Sequence, residues 1–176
     1  SDEVNEGDNI DLTPTATKSG WRFVGWNTNK NATSALSSLK MGDSSVTLYA
    51  IFRKEAKTIT ITFNKNGATS QTPNGGSAST ANTVTQSCTI AAVYNSATQA
   101  SSCNITSPKI TASTNTPTVI GYNTSSSGTT SSWNQNTSKA VSSNATYYAI
   151  TKKDAVSYTA SFNANGASLS STSASC

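Results

Sequence analysis

One stretch of this chain occurs twice. Phe63-Asn64-Lys65-Asn66-Gly67-Ala68 returns as Phe162-Asn163-Ala164-Asn165-Gly166-Ala167, 99 positions later. Leu48-Tyr49-Ala50-Ile51 returns as Tyr147-Tyr148-Ala149-Ile150 at the same offset, and Phe23-Val24-Gly25-Trp26-Asn27-Thr28 comes back more loosely as Val119-Ile120-Gly121-Tyr122-Asn123-Thr124, 96 positions on. Three markers in one order at nearly one offset define a repeating unit, and self-similarity of this kind restricts a chain to like modules laid one after another. The unit opens with a strand that ends in Asn-Gly and closes with a strand of the Tyr-Ala-Ile type. On that definition residues 1–55 are the C-terminal part of a first repeat, 56–153 are one complete repeat, and 154–176 are the N-terminal part of a following one.

The local signals are those of strands. Lys57-Thr58-Ile59-Thr60-Ile61-Thr62-Phe63 alternates polar and apolar side chains with the period of two that puts one face in a core. Val156-Ser157-Tyr158-Thr159-Ala160-Ser161-Phe162 repeats the alternation. Each stretch runs into Asn-Gly, a turn signal because both residues accept positive φ. Residues 46–52 and 145–150 read as closing strands. A short helical turn is expected only at residues 35–41, where Leu36 and Leu39 stand three apart.

Composition then narrows the function. The 31 Ser, 29 Thr and 18 Asn make up close to half of the 176 residues, while charged residues make up 11%. A surface of hydroxyls and amides stays hydrated without a charged coat, as in extracellular stalks. Apolar residues are 34% of the chain, which suits small modules with thin cores better than one large core. The net charge of +4 is spread thinly, with no basic run longer than Lys152 and Lys153, so the concentrated patch that nucleic acid requires is missing. No apolar run nears the ~18 residues of a membrane span, and direct membrane insertion is not expected. With no histidine there is no Ser/His or Cys/His pair, and the carboxylates are too scattered to converge as a hydrolytic couple. The chain is therefore expected to be non-catalytic, without cofactor or metal.

Cys88 and Cys103 lie within the complete repeat, and Cys176 sits where Cys88 would fall in the next one. That alignment takes the loop containing Gly75-Gly76 to be absent there, Gly166 to Cys176 spanning 10 residues against 21 from Gly67 to Cys88. The simplest arithmetic is one disulfide per repeat, with Cys176 pairing outside this segment or with another copy. Two buried free thiols are the alternative, and a metal site is the weakest reading because other ligands are lacking.

Pro14, then Gly20-Trp21-Arg22-Phe23-Val24-Gly25-Trp26-Asn27-Thr28, a variable stretch, and Val46-Thr47-Leu48-Tyr49-Ala50-Ile51-Phe52 form a pattern that resembles the Listeria/Bacteroides repeat, the module type of the internalin B B repeats. The likeness is loosest in the complete repeat, where Tyr122 replaces the second tryptophan and an insertion carries both Cys88 and Cys103. The resemblance implies a mainly β fold of small tandem modules, β-grasp-like or β-sandwich-like, with little helix. It also implies tandem arrays on a bacterial surface and no catalysis. The motif residues are then Trp21, Phe23, Gly25, Trp26 and Tyr49, with Gly121, Tyr122 and Tyr148 in the second unit. Their aromatic rings are expected in cores.

The leading expectation is a secreted or cell-surface structural stalk, adhesin or fibre-forming module whose partners are other repeats of its own chain or other copies of itself. In the fibre version, residues 155–176 of one copy supply the opening strand missing from residues 1–55 of another. The alternative is a module that binds host or environmental glycans through exposed aromatics, with Trp133, set among Ser131, Ser132, Asn134 and Gln135, as the candidate contact.

Overall fold

A computed structural model describes residues 4–168. Lys57–Asn64 (β3 in an order of eleven strands) places Ile59, Ile61 and Phe63 on one face, all fully buried, and its threonines on the other. Each such side chain contributes roughly 1.5–3 kcal/mol by leaving water. Thr83–Ile90 (β5) pairs antiparallel with β3 along its whole length, from Lys57 opposite Ile90 to Asn64 opposite Thr83. On the other side of β3 lies Ala145–Lys152 (β11), and this pairing is parallel, Ala145 opposite Ile61 through Tyr148 opposite Asn64. Thr118–Asn123 (β9) completes the sheet in the order β5-β3-β11-β9.

Two short ribbons pack against this sheet. Cys103–Thr106 (β7) pairs with Ser138–Val141 (β10), and Ser70–Thr72 (β4) pairs with Lys109–Thr111 (β8). They bring Ile105, Val141, Ile110 and nearby Ala68 into one core with Ile59, Ile61, Phe63, Tyr122, Trp133 and Tyr147. Phe63 is its centre, edge-on to Tyr122 at 4.9 Å and to Trp133 at 5.4 Å. Two polar tips inside are paired, Gln71 Nε2 donating to the Tyr122 hydroxyl at 3.1 Å and Trp133 Nε1 to the Thr137 carbonyl at 3.0 Å, while Gln71 Oε1 is buried without a partner among the described residues. A disulfide between Cys88 and Cys103 ties β5 to β7.

The remaining sheet is smaller. Arg22–Asn27 (β1) pairs antiparallel with Tyr49–Lys54 (β2), and Val93–Tyr94 (β6) adds to the far edge of β2. Its apolar centre is Ile51, fully buried, with Phe23 edge-on to Trp26 at 5.6 Å and to Phe52 at 5.8 Å.

The β1–β2 and β9–β11 pairs have the same register. Gly25 faces Ile51 and Trp26 faces Ala50; Gly121 faces Ile150 and Tyr122 faces Ala149. In both, one residue is skipped before the glycine, Val24 in one case and Ile120 in the other, as a β-bulge. The following loops match as well. Leu36 N donates to Trp26 O and Ser132 N to Tyr122 O, both at 2.8 Å.

The mainly β class holds, and no helix occurs among the described residues. Residues 35–41, expected to form a helical turn, form none and run as an irregular segment with a bridge from Lys40 to Asn9. Their backbone groups are taken by other segments of the chain: besides Leu36, Ile10 N donates to Leu39 O, Met41 N to Asp8 O and Gly7 N to Met41 O, each at 2.8 Å. The expected strand at residues 156–162 is also not formed. Val156, Tyr158 and Phe162 stand in solvent, 61%, 90% and 53% exposed, so Phe162 and its counterpart Phe63 occupy different environments. An alternating sequence makes a strand only when a neighbour accepts its hydrogen bonds. The turn that follows needs no neighbour and forms in both places. Asn66 and Gly67 have φ 45° and 85°, and Asn165 and Gly166 have 47° and 91°.

Candidate functional site

β2 leads to β3 through Glu55 and Ala56 alone, and β6 returns to lie along the end of β2, Tyr94 opposite Arg53 and Val93 opposite Lys54. The next residue, Asn95, closes the contact. It adopts the left-handed conformation, φ 60°, which asparagine tolerates better than most side chains. Asn95 N donates to Phe52 O at 2.8 Å, and Asn95 Oδ1 accepts from Phe52 N at 3.1 Å. Asn95 Nδ2 donates to the carbonyls of Lys30 and Ala32, both at 3.0 Å. Lys18 Nζ donates to the Asn95 carbonyl and lies 4.3 Å from the centre of the Trp21 ring. Every polar group of one asparagine is thus used to join the β6 segment to β2, to the loop between β1 and β2, and to Lys18 ahead of β1.

Glu55 organises the connector itself. Its Oε1 accepts from Arg22 Nε at 2.7 Å, while Arg53 Nε stands 3.3 Å from Oε2 without an aligned hydrogen bond. The Arg22 hydrogen bond holds the Glu55 carboxyl below its ordinary range, burial opposes this, and the Arg53 charge adds to the lowering. Gln99 Nε2 donates to Glu55 O at 2.8 Å and to Ala91 O at 2.9 Å, so the connector is fixed from both sides. The same arrangement recurs after β11. Thr118, at the start of β9, donates to Asp154, and Lys152 lies 3.7 Å from that carboxylate. Arg22, Arg53 and Glu55 therefore have counterparts in Thr118, Lys152 and Asp154.

The motif residues are brought together as two sets. Gly25, Trp26 and Tyr49 share the β1–β2 pair with Phe23, and Gly121, Tyr122 and Tyr148 share the β9–β11 pair. Both glycines are required. Gly25 has φ 140°, and a Cβ there would come 2.5 Å from the Ala35 Cβ; Gly121 has φ 135°, and a Cβ would overlap the Ser131 hydroxyl. Trp21 lies under Lys18 rather than in a core. Cys88 and Cys103 are bonded, whereas Cys176 lies outside the described residues.

Trp133 corrects the expectation of an exposed aromatic. It is 4% exposed, packed edge-on to Phe63 and Tyr147, the latter at 5.1 Å, with Lys139 Nζ 5.4 Å from its ring. A sugar has no open face on which to stack. Polar sequence neighbours suggested exposure, but the isolated bridge between Trp133 and Tyr122 turns the ring inward.

Asn95 was not legible as a site. At an offset of 99 its counterpart falls outside the 176 residues, so the repeat gives no second copy to compare. The one available signal was a lone Asn after an apolar pair, which reads as an ordinary turn.

Residues 1–51 match the family model of the Listeria-Bacteroides repeat domain. The matched stretch contains β1 and its bulge and ends within β2 at Ile51, the buried centre of the smaller sheet. No curated protein and no solved structure matches the chain. The family match points to a bacterial surface repeat protein.

Proposed function

We propose that this chain is a non-catalytic spacer from a bacterial surface repeat protein, a stalk segment outside the cell whose units, divided at residues 55 and 153, hold their shape under tension. The observation that carries this reading is the parallel pairing of β3 with β11. These strands open and close the 56–153 unit, so a pull on its two ends enters at Lys57 and leaves at Lys152. Parallel neighbours pulled from opposite ends slide past one another. All of their hydrogen bonds bear load at once, whereas a hairpin opened from its end breaks them one by one. The bonded Cys88–Cys103 pair supports the extracellular setting, because such bonds persist in oxidising surroundings.

The junction adds to the reading. A spacer transmits orientation only if consecutive units do not swivel, and a two-residue connector braced by Glu55, Gln99 and Asn95 limits swivel. Pulling single chains from both termini tests the proposal. The 57–152 unit should open in one step at high force, and reducing agent should lengthen that step. The 15-residue separation of the disulfide hides roughly 50 Å of extended chain at about 3.5 Å per residue. Gradual extension without a discrete step would reject the proposal.

A further inference from the structure

We propose that the two Asn-Gly pairs inside the 56–153 unit are sites of spontaneous modification with opposite triggers. Asn74–Gly75 converts to aspartate and isoaspartate in the folded chain, and Asn66–Gly67 does so only while the unit is unfolded. The inference goes beyond the spacer reading and does not depend on it. The reaction needs water alone. The amide nitrogen of Gly75, having lost its proton, attacks the side-chain Cγ of Asn74; the bond to Nδ2 breaks, ammonia leaves and a succinimide ring remains. Water opens the ring at either carbonyl, giving aspartate or isoaspartate, the latter with one more carbon in the backbone. The same steps apply at residues 66 and 67. Asparagine is among the thermally labile side chains, and a following glycine leaves the attack sterically free.

Asn74 and Gly75 form the tip of an exposed turn, closed by Gly76 N donating to the Pro73 carbonyl at 3.0 Å. Gly75 has φ 72°, and a Cβ placed on it would meet nothing within 4 Å. Among the described residues no hydrogen bond holds the Asn74 carboxamide or Gly75 N, so the side chain is free to swing onto that nitrogen. The loop is fixed at its base, where Gln71 N donates to Ser79 O at 3.0 Å and Ser79 N to Gln71 O at 2.7 Å. A new charge and a longer backbone at the tip therefore leave the core as it was.

Asn66 is clamped. Its Nδ2 donates to the carbonyl of Ser126, in the loop after β9, at 2.8 Å and to that of Ala149, on β11, at 3.0 Å. Its own amide donates to Asn64 Oδ1 at 2.8 Å, and Ala68 N closes the turn on Lys65 O at 2.8 Å. The carboxamide has to leave both carbonyls at once before its carbon reaches Gly67 N, which makes the reactive conformer at least about tenfold rarer than at a free site. Conversion here also removes the donor: a carboxylate at residue 66 faces two carbonyl oxygens with no hydrogen to offer them. A unit that has stood open and reacted thus closes less firmly. The ratio of acid at residue 66 to acid at residue 74 records how long it stood open.

The test holds the full chain at mildly alkaline pH, which raises the fraction of deprotonated amide, with and without guanidinium chloride and reductant. Peptide fragmentation in the mass spectrometer assigns the acid to residue 66 or residue 74 over time. In the folded chain Asn74 should convert at least about tenfold faster than Asn66. In the unfolded chain the Asn66 rate should rise to that of Asn74, which itself stays as it was. Asn66→Asp should lower Tm or prevent folding, and Asn74→Asp should leave Tm unchanged. Equal rates in the folded chain overturn the proposal, as does an Asn74 rate that climbs on unfolding as steeply as that of Asn66. An Asn66 rate that stays low in the unfolded chain overturns it too, and so do equal Tm values for the two variants.

Discussion

Phe52 and Asn95 exchange two hydrogen bonds, the amide of each residue donating to the other, at 2.8 and 3.1 Å, across the edge where β6 meets β2. Asn95 also holds a positive φ, so the link depends on both its backbone shape and its carboxamide. Two substitutions separate these contributions. Asn95→Gly keeps the φ and loses the carboxamide, leaving the Phe52 amide without its acceptor at a cost of about 1–3 kcal/mol. Asn95→Ala loses both. Hydrogen exchange at Phe52 should accelerate by at least about tenfold in the first and more in the second, with β3 amides unchanged. Equal exchange in both variants and the parent would show that the junction is held by something else.

Trp133→Ala should unfold the larger core rather than alter any surface. The ring is packed against Phe63 and Tyr147, and emptying such a site costs roughly 3–5 kcal/mol. Thermal melting decides the matter: a large fall in Tm places Trp133 in the core, and an unchanged Tm would restore it to the surface.

The bulge glycines give a paired test of the two hairpins. Gly121→Ala drives a methyl group into Ser131 and brings it to 3.0 Å from the Trp133 carbonyl, at a φ that disfavours any side chain. It should destabilise the larger unit by at least the roughly 1–3 kcal/mol of such backbone strain. Gly25→Ala meets Ala35 instead, so it should loosen the β1–β2 pair and leave the melting of the larger unit alone. Equal effects on one transition would mean that the two hairpins fold as a single body.

Much of this was legible in the residues. The alternation of Ile59, Ile61 and Phe63 specified β3 and its buried face, because a period of two has one geometric meaning. The recurrence of Tyr-Ala-Ile and of Gly25 as Gly121 carried over to register, bulge and loop, because these are backbone demands that few residues meet. The ribbons β4–β8 and β7–β10 were not legible. Ser70, Gln71 and Ser107 are buried, yet nothing in the serines' type distinguishes them from the many exposed serines; Gln71 and Ser107 are held inside by tertiary hydrogen bonds. The 156–162 segment shows the converse, a strand pattern without the neighbour that would make it one.

Reduction of the Cys88–Cys103 bond should lower stability by about 3 kcal/mol, the chain-entropy value for a loop of this size. The fold should survive, since Ile59, Ile61 and Phe63 pack independently of the bond. Urea unfolding with and without reductant measures the difference. A change near zero would mean that the loop between β5 and β7 is already ordered in the unfolded chain.

The direction of pulling tests the spacer account most directly. β11 pairs with β3 in parallel and with β9 in antiparallel, Lys152 lying opposite Thr118. Force applied between residues 57 and 152 loads the first pairing in shear, and force applied between residues 118 and 152 peels the second from its end. Single-molecule pulling through cysteines placed at those positions should give an opening force several times larger in the first geometry than in the second. Equal forces would contradict the account, because resistance would then come from the core as a whole and not from the pairing of the unit's first and last strands.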